Sequence, residues 1–374
     1  MSLASERRLI EETVTEFVDN EVRPRASEAD ETQTFPEDVW DGLADLGMTG
    51  LTVSESYGGF DADQVTYSVI NERLARGDLS VATALSVHCL ATACIEEFGT
   101  ETHREEWLPA MAEGRPVGAF ALSEPDAGSN PAEMSTEAKK DGDEYVIDGK
   151  KQWITNGTRA GVVVLFAKTD REDPDSVTQF LVPTDTDGVE VGKKEDKLGL
   201  RASDTTTLRF DGARIPESNR LTEVGAGLKA AFSILTGGRI AIASQAVGVA
   251  QAALDAAIEY ADEREQFGKP IAEHQAIAHK LADMATEVKA ARLLTRDAAE
   301  KNEEGVDPMA ASMAKYFASE TAVDVANEAV QVHGGYGYTK DFDVERYYRD
   351  AKITTIYEGT SEIQKEIIAR HIGE

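Results

Sequence analysis

A glutamate near the C-terminal end of the chain has neighbours that could make it reactive. Glu358 follows Ile356 and Tyr357 and precedes Gly359 in the segment IYEGTSE. Apolar neighbours raise the pKa of a carboxyl group, and glycine lets backbone approach a ligand because it has no Cβ. A glutamate in this setting can take a proton in a dry pocket. The plainer interpretation is a helix start, with Glu358 as an ordinary loop carboxylate near the positive helix end.

The cysteines and histidines do not form a pattern typical of a metal centre. Cys89 and Cys94 lie five residues apart in an apolar run, which is not a zinc-ligand spacing and favours buried free thiols. The six histidines form no HExxH pattern. The sequence therefore predicts no metal site.

The chain is strongly acidic along its whole length. It has 69 Asp and Glu against 38 Lys and Arg, a net charge of −31. Such a surface repels phosphates, which disfavours a nucleic-acid partner. It also repels itself unless salt screens it. We therefore expect an acidic, halophilic-type protein that is adapted to high internal salt and less stable at low than at molar KCl.

The bulk composition predicts a folded protein of two or three domains. The chain has 374 residues, of which 41% are hydrophobic, enough for a sizeable core. No run of 18 apolar residues predicts a membrane span, and the N-terminal segment has the pattern of an amphipathic helix rather than a signal peptide. These features predict a cytoplasmic protein without membrane insertion.

Three compositional regions predict an α+β fold that is mostly α. Residues 1–118 have helical periodicity and form an N-terminal helical domain. Residues 119–225 contain short β-branched runs, typical of a small β-barrel or sandwich, with a hairpin turn predicted at Asp148-Gly149. Residues 226–374 contain four helical stretches rich in alanine, which predict a four-helix bundle. Glycine-bearing turns at the junctions favour a cofactor bound between domains.

Six motifs, in order along essentially the whole chain, resemble one known family. They are FALSEPDAGSN (120–130), KQWITNG (151–157), GGRIAIASQAVGVAQ (237–251), EREQFGKPI (263–271), QVHGGYGY (331–338) and IYEGTSEIQ (356–364). The chain resembles the acyl-CoA dehydrogenases, which introduce a trans-2 double bond into acyl-CoA thioesters. The resemblance implies FAD as cofactor, a homotetramer, and electrons passed to an electron-transfer flavoprotein.

The resemblance also implies where the chemistry lies. Glu358 matches the family's catalytic base, whose own amide N–H helps to bind the thioester carbonyl. One branch of the family carries its base just before the arginine of the GGRIAIA segment; here that position is Gly238, which favours Glu358. The residues matched to substrate binding are Ser129, Thr236, Gly238, Arg239 and Gly359.

The matched cofactor residues come from five of the motifs. They are Phe120, Leu122, Ser123, Gly128, Ser129, Trp153, Ile154, Thr155, Arg264, Gln266, Phe267, Gln331, Gly334, Gly335, Thr360 and Glu362. In the family the arginine equivalent to Arg264 reaches the FAD pyrophosphate of a neighbouring subunit, a role that suits a guanidinium. Ser123 and Asn130 depart from the usual threonine and aspartate of the family.

Two other functions compete with the dehydrogenase. A flavin oxidase or monooxygenase would share the fold, but acyl-CoA oxidases carry a further C-terminal domain, and nitroalkane oxidases have aspartate in place of Glu358. A non-enzymatic, nucleic-acid-associated member would have a basic surface, which this chain lacks. The motifs look most like short-chain members and fit fatty acid β-oxidation or branched-chain amino acid degradation. An arginine of the glutaryl type is not evident near residues 80–90.

Overall fold

Two helical regions flank a β region along the chain. The computed structural model describes residues 3–373. The N-terminal region contains α1 (Leu3–Phe17), α2 (Arg23–Thr32), α3 (Glu37–Asp45), α4 (Gln64–Gly77), α5 (Leu79–Phe98) and α6 (Glu101–Ala112). The C-terminal region contains α7 (Gly227–Glu263), α8 (Gln275–Glu304), α9 (Pro308–His333), α10 (Val344–Thr354) and α11 (Ser361–His371). The predicted α+β, mostly α fold is confirmed.

Side-chain caps fix where the central N-terminal helices begin. The carboxylate of Asp63 accepts from the Thr66 amide at the start of α4, and that of Asp78 accepts from the Ser80 amide at the start of α5. Each such cap satisfies an amide that the helix leaves free. Trp40, on α3, is fully buried in the core that these helices enclose.

The β region is one seven-stranded sheet. Its strands are β1 (Val117–Ala121), β2 (Glu137–Asp141), β3 (Glu144–Thr155), β4 (Ala160–Lys168), β5 (Val177–Pro183), β6 (Val189–Val191) and β7 (Thr205–Pro216). They are ordered β1-β4-β2-β3-β7-β6, and β5 pairs with β4. A separate two-stranded hairpin, β8 (Glu265–Gln266) and β9 (Lys269–Pro270), follows α7.

The predicted hairpin at Asp148-Gly149 is wrong. Both residues lie inside β3, where the pairing with β7 shifts register next to Asp148. The turn between β2 and β3 instead contains Gly142, with φ of 66°. Gly149 is needed for another reason, because a Cβ there would lie 2.7 Å from the Thr136 Cα. The Asp-Gly pair thus marks a close approach and a bulge rather than a turn.

Residues 226–373 form five α-helices rather than the predicted four. The additional helix, α10, has the polar sequence VERYYRDAKIT, and only one face of it is buried. The long helices α7 and α9 pack closely through alanines that are almost completely buried. The helix that the prediction missed leads directly into the segment that carries Glu358.

Two helices are long and apolar enough to cross a membrane by composition alone. They are α5 and α7, and 83% of the apolar window of each is buried inside the fold. Both are therefore core helices, and α7 packs against α4, α5 and α9 at the centre of the molecule.

Candidate active site

The segment between α10 and α11 has an unusual backbone that protein donors hold in place. Glu358 and Gly359 both have positive φ, 55° and 91°. The Gln364 side-chain amide donates to the carbonyls of Glu358 and Gly359, at 3.1 and 2.9 Å. Lys315 Nζ, from α9, donates to the Gly359 carbonyl at 2.7 Å. A non-glycine residue in this conformation is strained, and such strain is typical of functional sites.

The amide N–H groups of Glu358 and Gly359 differ from the carbonyl groups in their hydrogen bonding. Both carbonyls are bonded to protein, whereas no acceptor within residues 3–373 pairs with the amide N–H of Glu358 or Gly359. Free N–H groups beside a carboxylate can bind a carbonyl oxygen on which negative charge develops. The helix start in the plainer interpretation is also present, since Thr360 caps α11 through the amide of Ile363.

The Glu358 carboxylate is set up to hold a proton. Its Oε2 atom is buried and has no hydrogen-bond partner among the described residues. Burial raises the pKa of Glu358 to about 7, although the positive charges of Arg239 and Lys315 oppose this shift. A pKa near neutrality suits a general base. The expectation that Ile356 shields the carboxylate is wrong, because the turn leaves that side chain 49% exposed.

Glycine at position 238 makes room for this carboxylate. A Cβ on Gly238 would lie 3.0 Å from Glu358 Oε2 and 3.3 Å from Leu90 Cδ2. Arg239, next along α7, is buried, and its Nε atom has no partner within the described chain. Thr236, one turn earlier, is also buried and donates to the Phe232 carbonyl. Of the predicted substrate residues of α7, Gly238 and Arg239 therefore lie beside Glu358.

A polar network fills the space behind the segment. Tyr357 donates its hydroxyl to Gln245 Oε1 at 3.3 Å, and Thr83 donates to the same oxygen at 3.3 Å. Gln245 Nε2 in turn donates to Asn71 Oδ1 at 2.8 Å. The network joins α4, α5 and α7, and sequence reasoning missed it because polar residues in helical runs are usually exposed.

The two predicted flavin segments of the β region are joined to each other. The Gln152 amide donates to the Ser123 carbonyl at 2.9 Å. Beside this contact, Gln152 and Trp153 form a bulge opposite β7, and Trp153 has a φ of 63°. A bulge redirects a side chain, and here Trp153 is 60% exposed. Thr155 is half-buried at the end of the same strand.

A buried ion pair that sequence reasoning missed joins the same two segments. Lys151 Nζ lies 2.8 Å from Glu124 Oε1, and the two side chains are 0% and 3% exposed. Lys151 also donates to the Leu122 carbonyl at 3.1 Å. Burial raises the pKa of Glu124, but Lys151 and the donors of Ser135 and Thr136 outweigh it and lower that pKa to about 2. A signal was present, since Lys151 falls at an inward position of an alternating strand.

The remaining predicted residues of these segments differ in what they offer. Phe120 and Leu122 are half-buried and pack against the cluster that contains Leu90, beside Gly238. The Ile154 side chain is buried in the sheet core, so it is not available to contact a cofactor. Gly128 and Ser129 are exposed, and a Cβ on Gly128 would meet no atom within 4 Å.

A second group of predicted residues lines a cleft at the far end of α7. The cleft has a volume of about 550 Å³, and Arg264, Gln266, Gly334 and Gly335 are among its lining residues. Arg264 forms no ion pair within residues 3–373, although the chain is highly acidic; its guanidinium lies 5.8 Å from the centre of the Tyr336 ring. An unpaired guanidinium in a cleft is suited to bind a phosphate.

Other predicted cofactor residues lie outside both groups or at their edges. Phe267 is 94% exposed at the tip of the β8–β9 hairpin, with φ of 54°. Gln331 is exposed on the last turns of α9 and does not line the cleft. Glu362 is exposed in the first turn of α11, next to the capping residue Thr360.

Within one chain, the Glu358 site and the cleft that contains Arg264 lie far apart. Gly238, beside Glu358, and Arg264, at the end of α7, are separated by about 39 Å at the usual helical rise. This separation is longer than an extended dinucleotide. The cleft and the Glu358 site of the same chain therefore cannot hold the same cofactor molecule.

Comparison with known proteins identifies the family. Three family models match in order: acyl-CoA dehydrogenase N-terminal domain (residues 4–115), middle domain (119–213) and C-terminal domain (225–373). The chain is 43% identical to the mitochondrial short-chain specific acyl-CoA dehydrogenase of Bos taurus, over 100% of this chain and 91% of that protein.

Solved structures agree with the family models. Butyryl-CoA dehydrogenase from Megasphaera elsdenii is 39% identical, with a TM-score of 0.96 and coverage of 100% of both chains. A chain from a structural study of the electron transferring flavoprotein of Acidaminococcus fermentans is 39% identical, with a TM-score of 0.97 over 100% of this chain and 99% of that one. This chain belongs to the acyl-CoA dehydrogenase family and is an oxidoreductase that acts on acyl-CoA.

Proposed function

We propose that the protein is an FAD-dependent dehydrogenase of short-chain acyl-CoA thioesters, with Glu358 as its catalytic base. The observation that carries this proposal is the Glu358 carboxylate, whose buried and unpartnered Oε2 lies beside two free backbone amides. The product would be the trans-2-enoyl-CoA. Because the chain has the family's three regions in order, we also propose that they act as three domains, residues 1–118, 119–225 and 226–374.

The residues of the site divide the reaction between them. The bond from the α carbon to hydrogen breaks, and Glu358 Oε2 takes the proton. The amide N–H groups of Glu358 and Gly359 donate to the thioester oxygen, on which negative charge develops as the proton leaves. The hydride leaves the β carbon at the same stage. FAD, when bound, would supply the acceptor for that hydride.

The chain offers contacts that fit FAD. The segment around Ser123 lies near the Glu358 site, because Phe120 and Leu122 pack against the cluster that contains Leu90, beside Gly238. The Gln152 amide joins this segment to the one that carries the exposed Trp153. Arg264 and Gly334 offer a cation and an open backbone at the cleft, where a Cβ on Gly334 would meet no atom within 4 Å. Because the two sets lie far apart in one chain, we propose that a neighbouring subunit completes each FAD site within a homotetramer.

Replacement of Arg264 by alanine is expected to weaken FAD retention. Among residues 3–373 the guanidinium has no carboxylate partner to lose, so a change in bound flavin would report a lost phosphate contact. R264K should retain an intermediate amount, because a lysine keeps the charge but not the bidentate geometry. Flavin content after dialysis is the measurement, with K139A, an exposed lysine on β2, as the control. Equal flavin content in R264A and wild type would contradict this role.

The side chains behind Tyr357 are expected to limit the length of the substrate's acyl chain. The space between α4, α5 and α7 is filled by Gln245 and its hydrogen-bonded partners. A long apolar chain that entered there would leave buried polar groups unpaired, at a cost of about 1–3 kcal/mol for each group. We therefore expect anaerobic bleaching of the flavin by butyryl-CoA and other short thioesters, straight or branched, and little bleaching by palmitoyl-CoA.

The same titration, run in molar KCl because of the acidic surface, tests the function. A bound flavin that no acyl-CoA bleaches would contradict the proposed activity. Rapid reoxidation of the reduced flavin by air would favour an oxidase instead. Slow reoxidation by air, with fast reoxidation by an electron-transfer flavoprotein, would support that flavoprotein as the partner. We retain a cytoplasmic location as part of the proposal.

A further inference from the structure

One buried lysine beside the active site takes no part in the proton and hydride transfers described above, although it contacts the Gly359 carbonyl. Lys315, on α9, is fully buried. Its Nζ donates to the Gly359 carbonyl at 2.7 Å, and within residues 3–373 it has no ion pair. A buried ammonium group whose direct partner is a neutral carbonyl is costly, so a structural role alone accounts poorly for it.

The charges that surround Lys315 show which group it faces. Burial lowers the pKa of Lys315 to about 8, and among its charged neighbours Glu358 opposes this shift most strongly. Arg239 on α7 adds to the lowering, whereas Glu320 on α9 and Glu362 on α11 oppose it. Glu320 also accepts from the Ser361 hydroxyl, and Glu362 is exposed, so Glu358 is the buried carboxylate that the ammonium group faces.

Besides Tyr357, whose pKa burial raises above its usual range, Tyr67 is a titratable group near the base. It lies on α4, is buried, and feels the Glu358 charge; burial is the main reason that its pKa is raised well above the usual range. Tyr67 is therefore neutral through the pH range in which Glu358 titrates. Two cations, Lys315 and Arg239, thus act on the charge of the base.

We propose that Lys315 is a positioning residue for dehydrogenation: its ammonium group holds the Gly359 carbonyl away from the substrate and stabilises the carboxylate form of Glu358. This inference rests on the proposed role of Glu358. It assigns two effects to one side chain. The hydrogen bond keeps the Glu358 and Gly359 amides free, and the positive charge keeps the base deprotonated near neutral pH.

The two effects are separated by three substitutions of the same residue. K315M removes the donor and the charge, K315Q removes the charge and keeps a donor, and K315R keeps both. K352M, which removes an exposed lysine on α10, is the control for a change of one surface charge. Flavin reduction by butyryl-CoA is followed anaerobically as a function of pH, and unfolding midpoints are recorded alongside.

Loss of the cation is expected to raise the apparent pKa of the base by about one unit in K315M and K315Q. The sign follows because a nearby cation favours the carboxylate, and its removal favours the acid. K315R and K352M should titrate like wild type. The difference between wild type and K315Q should narrow above about pH 8, where Lys315 itself loses its proton. K315M should lose more rate than K315Q at every pH, because it also releases the carbonyl.

A second readout does not depend on turnover. The infrared band of the protonated Glu358 carboxyl group, assigned by its loss in E358Q, should persist to higher pH in K315Q than in wild type. Unchanged pKa values in all variants, with lowered unfolding midpoints only, would overturn the proposal and leave Lys315 a packing residue. If wild type is not reduced by any acyl-CoA, the proposed function fails, and the infrared titration still reports whether Lys315 acts on Glu358.

Discussion

E358Q is expected to retain FAD, and its rate of flavin reduction by acyl-CoA should be at least about 10³-fold lower than that of wild type. Glutamine keeps the size and the left-handed backbone position of Glu358 but cannot take the α proton, and a positioned general base contributes about 10²–10⁴-fold to rate. The measurement is the anaerobic rate of flavin bleaching at saturating butyryl-CoA. E366Q, an exposed glutamate on α11, is the matched control.

The same variant should be more stable than wild type at alkaline pH. Burial raises the folded-state pKa of Glu358 to about 7, above the value of about 4.3 expected in an unfolded chain. Stability linked to this group is therefore present at acid pH and is lost as the pH rises toward 7. E358Q removes that loss, so its unfolding midpoint should exceed that of wild type near pH 8 and approach it near pH 5.

The activity of E358Q tests the assignment of the base separately. Bleaching rates in E358Q equal to those of wild type would show that another group is the base.

K151M is expected to destabilise the protein by about 3–5 kcal/mol, because it leaves the Glu124 carboxylate buried without its cation. The flavin content of K151M should also fall, because the Lys151–Glu124 pair joins the segments that carry Ser123 and Trp153. Denaturant unfolding of the purified variants, with flavin absorbance recorded on the same samples, provides both measurements.

A double-mutant cycle separates the ion pair from the volume of the side chain. E124Q alone should also destabilise, and the double variant E124Q/K151M should be more stable than K151M, because no unpaired charge remains. K140M serves as the control, since it removes an exposed lysine that pairs with Glu217 and should cost about 0–1 kcal/mol. Additive effects of E124Q and K151M would show that the pair is not energetically coupled.

The sequence predicted the fold class, because helical periodicity and β-branched runs are patterns along the chain. The motifs matched Glu358 and Gly238 to alternative positions of the family's base, and the structure brings the two residues together although 120 positions separate them. Periodicity did not reveal α10, whose polar residues dominate its pattern. The turn predicted at Asp148-Gly149 was also wrong, because an Asp-Gly pair fits a strand bulge as well as a hairpin.

The groups that support the site were not predictable in the same way. Lys315 lies in a helix, where a lysine is ordinarily exposed, and only the packing of α9 against the Gly359 segment buries it. Gln245, on α7, is likewise buried by contacts with α4 and α5, which are distant from it in sequence. The prediction for Ile356 was wrong in the opposite direction. Its apolar side chain is exposed, because the tight turn before Glu358 directs it outward. Burial that depends on tertiary contacts leaves little local signal.

The close approach of Gly238 to Glu358 limits how a descendant of this protein could change its base. A side chain at position 238 would begin with a Cβ 3.0 Å from Glu358 Oε2, so a second carboxylate there would force the Glu358 side chain to move. A lineage that lost the acid at 358 before it gained one at 238 would pass through a sequence with no base. The geometry of a single glycine therefore limits the order in which the two changes can occur without loss of the base.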